Sequence, residues 1–161
     1  MKVAVYPGTF DPVTLGHIDL IKRAKYICEK LYVAVARSSA KKTLFTLEER
    51  LDMLRIAVGN EKDIIVDSFE GLTVDYCNSV NACAIVRGLR AVTDFEYEFQ
   101  MALTNRKLNG NIETIFLMPS EKYTYLSSSM IKEIARLNGD ISRFVSKELV
   151  EMIKARCANV Y

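Results

Sequence analysis

Residues 6–17 join a short buried strand to a helix and constrain the fold more than any other stretch of the chain. Their sequence is Tyr-Pro-Gly-Thr-Phe-Asp-Pro-Val-Thr-Leu-Gly-His, and they follow the apolar run of residues 3–5. Pro7-Gly8 and Asp11-Pro12 mark turns, because proline fixes φ and glycine admits positive φ. The stretch therefore predicts a strand, a tight loop and a helix N-terminus. Free backbone N–H groups and the positive end of the helix dipole favour an anion at such a junction.

The only histidine of the chain, His17, falls in the first turn of the helix that is predicted to start at Leu15. Thr14 is a predicted N-cap, which places His17 at the third helical position. Gly16 leaves space for a ligand to approach the backbone, although a glycine near a helix start also fits a simple turn. A core histidine is the alternative for His17, but the predicted anion site beside it favours a functional role. The glycine spacing matches neither the dinucleotide-binding fingerprint nor a P-loop.

Apolar strands alternate with helices along the whole sequence. Strands are predicted at residues 2–6, 31–36, 64–66, 82–86 and 112–118, and helices at 15–29, 46–58, 73–81, 93–108, 130–137 and 147–156. Capping boxes at 46–49 and 93–96 are predicted to start the second and fourth helices. This alternation predicts an α/β fold, a Rossmann-like, doubly wound sheet of five parallel strands with helices on both faces. The chain has 161 residues, and we expect one domain spanning residues 1–161.

Composition argues against several classes of protein. The net charge of +2 is too small to indicate nucleic acid or a membrane surface as a partner, and no apolar run approaches the length of a membrane span. The four cysteines lack zinc-ligand spacing, and the carboxylates form no visible metal-binding or acid–base pair. No signal sequence is apparent at the N-terminus. We therefore expect a cytoplasmic protein with reduced thiols and no metal bound by its own side chains.

Polar clusters follow the predicted strands at one edge of the sheet, where ligands bind in folds of this class. Arg87 and Arg90 flank a glycine directly after a buried strand, a position that favours guanidinium binding to phosphate. Residues 127–129 are three serines, which can cap a helix and also hold phosphate oxygens. Lys41-Lys42, taken alone, is more typical of a solvated surface. Together with His17, these side chains predict a polyanion site suited to phosphoryl or nucleotidyl transfer.

Two short motifs resemble those of the nucleotidyltransferase superfamily. Residues 14–17, Thr-Leu-Gly-His, resemble its T/H-x-G-H signature, and residues 126–132, Leu-Ser-Ser-Ser-Met-Ile-Lys, resemble its I-S-S-T/S-x-x-R/K motif. More narrowly, the block RGLRAVTDFEYE at 87–98 resembles the bacterial phosphopantetheine adenylyltransferase family. The same family resemblance extends to residues 6–17, 41–42, 45–50 and 116–120 and covers essentially the full length. Leu126 in place of isoleucine and the stretch at 123–125 depart from the commoner pattern.

The resemblance implies adenylyl transfer from ATP to 4′-phosphopantetheine. The products would be dephospho-coenzyme A and pyrophosphate, and the reaction is the penultimate step of coenzyme A synthesis. The acceptor phosphate would attack the α-phosphorus of ATP in line, so that neither an enzyme nucleophile nor a general base is needed. Mg²⁺ would accompany the triphosphate and be held mainly by phosphate oxygens. The resemblance also implies a homohexamer and feedback inhibition by coenzyme A.

The resemblance assigns site residues as well. His17 would stabilise charge on the α-phosphate in the transition state. The acceptor would be bound by Thr9, Lys41, Thr73 and Arg87. ATP would be bound by Thr9, Phe10, His17, Gly88, Leu89, Arg90, Glu98, Tyr123, Thr124, Tyr125, Leu126, Ser127, Ser128 and Ser129.

Two other functions remain open from the sequence. One is another nucleotidyltransferase, acting on nicotinamide mononucleotide or a phosphorylated alcohol, with the same ATP-side residues but a different block in place of residues 87–98. The other is a regulatory module that binds ATP without turning it over. Pyrophosphate release with ATP and each acceptor in turn separates these possibilities.

Overall fold

The computed structural model describes residues 2–37, 42–90 and 92–158. The described residues form five strands, which are β1 (Val3–Gly8), β2 (Lys30–Ala36), β3 (Ile64–Phe69), β4 (Ala84–Gly88) and β5 (Glu113–Leu117). All pairings are parallel, and the strand order is β3-β2-β1-β4-β5. The sheet grows outward in both directions from β1 and β4, and ligands bind at such a switch point in doubly wound sheets. The predicted five-stranded parallel sheet is confirmed.

Six α-helices of the described residues pack on the two faces of this sheet. They are α1 (Leu15–Ala24), α2 (Leu47–Val58), α3 (Thr73–Ser79), α4 (Val92–Leu108), α5 (Ser128–Arg136) and α6 (Val150–Ala158). Along β1, Ala4 and Tyr6 belong to one buried cluster and Val5 to another, because alternate side chains of a strand point to opposite faces. Helices therefore cover both faces, as predicted. No helix within the described ranges is long and apolar enough to cross a membrane.

Helix α1 ends at Ala24, five residues earlier than its apolar periodicity predicts. The N–H of Tyr26 bonds to the carbonyl of Arg23 at 3.1 Å, a three-residue spacing that tightens the chain into a turn. Cys28 continues the apolar period in the sequence but lies beyond the helix.

Strand β4 extends through Arg87 and Gly88, which were predicted to follow it. The parallel pairing with β5 continues at both positions, because backbone hydrogen bonds do not depend on side-chain polarity. Helix α4 begins at Val92, so Thr93 lies inside the first turn and not at the N-cap. The capping box predicted at residues 93–96 is therefore wrong.

The last two helices also start at other positions than predicted. Helix α5 begins at Ser128, and the hydroxyl of Ser127 caps it by accepting the N–H of Met130 at 3.1 Å. Helix α6 begins at Val150, after a short 3₁₀ turn at Lys147–Leu149. Ser128 and Ser129 therefore belong to the first turn of α5.

Candidate active site

The first turn of α1 holds His17 through a reciprocal pair of hydrogen bonds. The N–H of His17 donates to the Thr14 hydroxyl at 3.3 Å, and the N–H of Thr14 donates to Nδ1 of His17 at 3.0 Å. The predicted N-cap and helical position are confirmed, whereas the capping role of the imidazole was not predicted. Because Nδ1 accepts a hydrogen bond, the neutral ring carries its proton on Nε2. Nε2–H makes no hydrogen bond within the described part of the chain and is available to a ligand.

The environment of His17 keeps the ring neutral. Burial lowers the pKa of His17 to about 4, and the positive charges of Arg90 and Arg87 act in the same direction. At neutral pH the imidazole is therefore uncharged, and it offers a ligand a hydrogen-bond donor without a full positive charge.

A cavity of about 310 Å³ lies over the carboxyl ends of β1 and β4, and we call it the first cavity. Most residues predicted to bind ATP line it, namely Thr9, Phe10, His17, Gly88, Arg90, Glu98, Tyr123, Leu126, Ser127, Ser128 and Ser129. Leu89, Thr124 and Tyr125 do not line it. Leu89 bonds through its N–H to the carbonyl of Leu117 at 3.0 Å and so extends the sheet. Nucleotide contacts stay a prediction for all fourteen residues.

A second cavity, of about 230 Å³, adjoins the first. Thr73 lines only this second cavity, together with residues of α4 that include Met101 and Ala102. Thr9 and Arg87 line both cavities and so stand at their junction. The fourth residue predicted to bind the acceptor, Lys41, lies outside the described residues.

The Arg87 side chain is held in place by three hydrogen bonds. Nε and Nη2 donate to the two carboxylate oxygens of Glu98 at 2.7 and 2.5 Å, and Nη1 donates to the Pro7 carbonyl at 2.9 Å. Burial alone would lower the pKa of Arg87, but the hydrogen bonds and charge of Glu98 outweigh burial and raise it. A bidentate pair of this kind fixes the plane of a guanidinium. Glu98 therefore orients Arg87 at the junction of the cavities.

Asp11 is the centre of a buried network that the sequence reasoning missed. Its carboxylate accepts the N–H of Phe45 at 2.9 Å, the N–H of Leu44 at 3.0 Å and the ammonium of Lys132 at 2.6 Å. Burial alone would raise the pKa of Asp11, but these hydrogen bonds outweigh it and lower the pKa. The sequence did hold a sign of this network. Lys132 is the last residue of the 126–132 motif, and Asp11 lies in the loop after the first strand. Both positions fall on the same sheet edge.

Two further arginines link separate segments of the site. Arg90 donates through Nη1 to the Leu126 carbonyl at 2.8 Å, which ties the end of β4 to the loop before α5. Arg50, from the first turn of α2, donates through Nη1 to the Thr9 carbonyl at 2.8 Å. Arg50 lies at the end of the 45–50 stretch that resembles the family, and no role was predicted for it.

Comparisons with known proteins identify the family of the chain. The family model described as Cytidylyltransferase-like matches residues 5–134. The fold is similar to solved structures of Plasmodium falciparum nicotinic acid mononucleotide adenylyltransferase. The structure complexed with APC has a TM-score of 0.70 and 15% identity, and covers 94% of this chain and 94% of that chain. The structure complexed with NaAD has a TM-score of 0.69 at the same identity and coverage. The chain belongs to the cytidylyltransferase-like family of nucleotidyltransferases.

Curated relatives narrow the family further. A protein of Caldanaerobacter subterraneus subsp. tengcongensis named phosphopantetheine adenylyltransferase is 54% identical over 153 residues, which cover 95% of this chain and 96% of that protein. The protein of that name from Desulfosudis oleivorans is 53% identical over 157 residues, covering 95% and 94%. The one from Carboxydothermus hydrogenoformans is 54% identical over 152 residues, covering 94% and 93%. Within the nucleotidyltransferases, the chain belongs to the phosphopantetheine adenylyltransferases.

Proposed function

We propose that the protein transfers the adenylyl group of ATP to 4′-phosphopantetheine, giving dephospho-coenzyme A and pyrophosphate in the penultimate step of coenzyme A biosynthesis. The observation that carries this proposal is the pair of adjoining cavities. Thr9 and Arg87 line both, whereas His17 lines the first alone. A reaction that joins two phosphate-bearing substrates requires two sites whose phosphate ends meet. The relatives' name supplies the identity of the acceptor.

The chemistry follows from the proposed placement of the two substrates. An oxygen of the acceptor phosphate forms a bond to the α-phosphorus of ATP while the bond from that phosphorus to the α–β bridging oxygen breaks. The electron pair leaves with pyrophosphate, in line with the attack. The acceptor phosphate is already anionic, so no enzyme nucleophile or general base takes part. Nε2–H of His17 donates to a non-bridging α-phosphate oxygen, where negative charge must be stabilised in the transition state.

Arg87 and Thr9 are proposed to bind the acceptor phosphate at the junction. A guanidinium has five N–H donors, and three of them bond to Glu98 and Pro7. Two donors therefore remain for phosphate oxygens. Lys41 is proposed to add a point charge to the same phosphate. Thr73 is proposed to line the pantetheine arm, beside the apolar side chains of α4 in the second cavity.

The nucleotide is proposed to occupy the first cavity. The serines at 127–129 surround the N-terminus of α5, where hydroxyls, N–H groups and the helix dipole favour phosphate. Arg90 adds positive charge from the end of β4. The remaining residues proposed for ATP are Phe10, Gly88, Leu89, Glu98, Tyr123, Thr124, Tyr125 and Leu126.

Mg²⁺ is proposed to enter as part of the ATP substrate. Three carboxylates line the first cavity, those of Asp11, Asp94 and Glu98. Each of them already forms an ion pair with a basic side chain. In the described part of the chain, no group of three or more His, Cys, Asp or Glu residues could hold a metal ion. Phosphate oxygens and water would therefore supply the octahedral coordination that Mg²⁺ requires.

The proposal extends to assembly, inhibition and location. Helix α4 exposes Phe95, Phe99 and Leu103 at four-residue spacing. An exposed apolar row of this kind supports a protein–protein interface, and the assembly proposed from the family is a homohexamer. Sedimentation equilibrium would measure the assembly. Coenzyme A contains the pantetheine arm and an adenosine nucleotide, so it could occupy both cavities and inhibit by feedback. The cytoplasmic location stays a prediction.

Pyrophosphate release tests the function directly. ATP and Mg²⁺ are incubated with the protein and one phosphorylated acceptor at a time, and we expect release with 4′-phosphopantetheine only. Release with nicotinamide mononucleotide or a phosphorylated alcohol in its place would indicate another nucleotidyltransferase. Tight ATP binding without release in any mixture would indicate the regulatory module.

A further inference from the structure

Arg50 lies beneath the loop that follows β1 and lines neither cavity. It is the fourth residue of α2, and 5% of its surface is exposed. Nη1 donates to the Thr9 carbonyl at 2.8 Å, and Nε donates to the Thr46 carbonyl at 3.3 Å. Among the described residues, no carboxylate lies within ion-pairing distance of this guanidinium.

A buried guanidinium that lacks a carboxylate partner is costly, because its charge has left water without full compensation. Burial lowers the pKa of Arg50, and the negative charge of Asp11 offsets part of that effect. An unbranched apolar side chain could occupy similar space without the desolvation cost. What such a side chain could not do is donate hydrogen bonds to two carbonyls. The bond to Thr9 is the one that reaches the site.

The Thr9–Phe10 peptide connects Arg50 to the first cavity. In a trans peptide the C=O and the following N–H point in opposite directions within one plane. Arg50 holds the Thr9 carbonyl on the side of α2, so the N–H of Phe10 points to the opposite side. Phe10 lines the first cavity beside His17, and its N–H donates to no group among the described residues. Buried N–H groups are nearly always bonded, so this one is suited to a ligand.

Phe10 is also held in an uncommon backbone conformation. Its φ is +50°, in the left-handed region that a residue with a Cβ seldom adopts. Its ring packs edge-on against Tyr6 at 5.5 Å and His17 at 5.1 Å between centroids. A Cβ added to Gly8 would lie 2.7 Å from the same ring. Backbone strain of this kind persists only where the surroundings hold it, and the Arg50 bond is one such restraint.

We infer that Arg50 is a positioning residue, which fixes the Thr9–Phe10 peptide so that the Phe10 N–H points at the phosphates of a nucleotide beside His17. This inference rests on the proposed function of the first cavity as the nucleotide site. Arg50 itself touches no substrate. Its effect on phosphate binding and turnover passes through the backbone of the loop.

The test compares Arg50→Met and Arg50→Lys with a control on the same helix. Arg55→Met serves as the control, because Arg55 pairs with Asp52 at the surface and lines neither cavity. Inorganic pyrophosphate is titrated into ¹⁵N-labelled full-length protein while the Phe10 amide resonance is followed. Affinity is measured by calorimetry, and kcat is measured by pyrophosphate release from ATP with 4′-phosphopantetheine.

In the wild type and in Arg55→Met, pyrophosphate should shift the Phe10 amide proton downfield, as a new hydrogen bond to an anion does. Arg50→Met should lose most of that shift and bind pyrophosphate about tenfold more weakly, the scale of one hydrogen bond to a charged group. Its kcat should fall roughly 10- to 10²-fold, as misplacement of a binding group can cause. Arg50→Lys keeps the charge without the planar fork and should give intermediate values.

A wild-type amide shift and kcat in folded Arg50→Met would overturn the inference, even if the variant were less stable, because that pattern indicates a structural role alone. If Arg50→Met does not fold, Arg50→Lys decides by the same readouts, and wild-type values in it overturn the inference. An unresponsive Phe10 amide in the wild type would also overturn it. A wild type that does not turn over 4′-phosphopantetheine defeats the proposed acceptor, while the pyrophosphate titration still decides the role of Arg50.

Discussion

Helices α1 and α2 begin with the same hydrogen-bonding device and use it differently. In each, a threonine N-cap accepts the N–H of the third helical residue, and the side chain of that residue accepts the N–H of the threonine. In α2 the third residue is Glu49, whose Oε2 accepts the Thr46 N–H at 2.8 Å. Its other oxygen pairs with Arg156 of α6. In α1 the third residue is His17, and its ring lines the first cavity.

The difference lies in what the second polar atom of each side chain does. Both oxygens of Glu49 bond to protein groups, so this capping box ties two helices together. Nδ1 of His17 is used by the cap, whereas Nε2–H has no partner in the ranges that the structure describes. A capping interaction that elsewhere only stabilises a helix thus sets the tautomer and the orientation of an imidazole.

The largest effect is expected from removing the two side chains at the third helical position. His17→Ala should lower kcat on the order of 10²–10³-fold with the fold intact, which is the scale for loss of a transition-state donor. Glu49→Ala should leave kcat unchanged and lower only stability. Pyrophosphate-release kinetics and circular dichroism check both. An unaltered kcat in folded His17→Ala would remove the role assigned to the imidazole.

The pH dependence of stability should also distinguish His17. The pKa of His17 is about 4 in the folded protein, whereas in the unfolded chain it takes its ordinary value of 6.5. Between these two pH values the unfolded chain therefore binds more protons than the folded protein. Stability should therefore fall as the pH drops from 6.5 through 4, by up to about 3 kcal/mol relative to His17→Gln. Urea unfolding of the wild type and of His17→Gln at several pH values measures the difference in their free energies of unfolding. The contributions of the acidic groups, which the two proteins share, cancel in that difference. A constant difference in free energy of unfolding across that range would contradict it.

A smaller effect is expected from the two caps. Thr14→Val and Thr46→Val should each cost about 1 kcal/mol of stability, the usual value of an N-cap hydroxyl. Only Thr14→Val should also reduce kcat, by roughly tenfold, because a loosened imidazole is misplaced for much of the time. Equal kcat in the two variants, with similar losses in stability, would show that the α1 cap does not orient His17.

The features that the sequence predicted well are local ones. The strands follow from apolar runs. The cap at Thr46 follows from a glutamate three positions further on, and the cap at Thr14 follows from a threonine directly before the helical pattern. The contacts of the site that were missed join distant residues, such as Lys132 with Asp11 and Arg50 with Thr9. The periodicity of apolar residues along the sequence does not predict which side chains meet at a sheet edge. The prediction for α1 was too long for a different reason. The apolar spacing of the sequence continues after the helix has ended in a turn at Ala24.

The predictions for the site also depended on whether a feature is local in the sequence or formed by packing. A cap among the serines at 127–129 was predicted because capping is a local pattern, and the structure places it at Ser127. His17 was predicted to be a site residue because it follows a strand–loop–helix junction, and that role stays a prediction. The two hydrogen bonds that Arg87 donates to Glu98 link residues of one short block, yet the pairing depends on α4 packing beside β4. The sequence therefore predicted that the proposed phosphate-binding groups lie on one edge of the sheet, but it did not predict which side chains hold them in place.

The adenylyl group is proposed to pass directly between two substrates that meet at Thr9 and Arg87. The most direct measurement uses ATP with sulfur in place of one α-phosphate oxygen, as a single stereoisomer, with 4′-phosphopantetheine as acceptor. A single in-line displacement predicts pyrophosphate and a dephospho-coenzyme A thio-analogue with inverted configuration at the α-phosphorus. Retained configuration, which requires an adenylylated intermediate, would contradict the account, as would the absence of this product when ATP is bound.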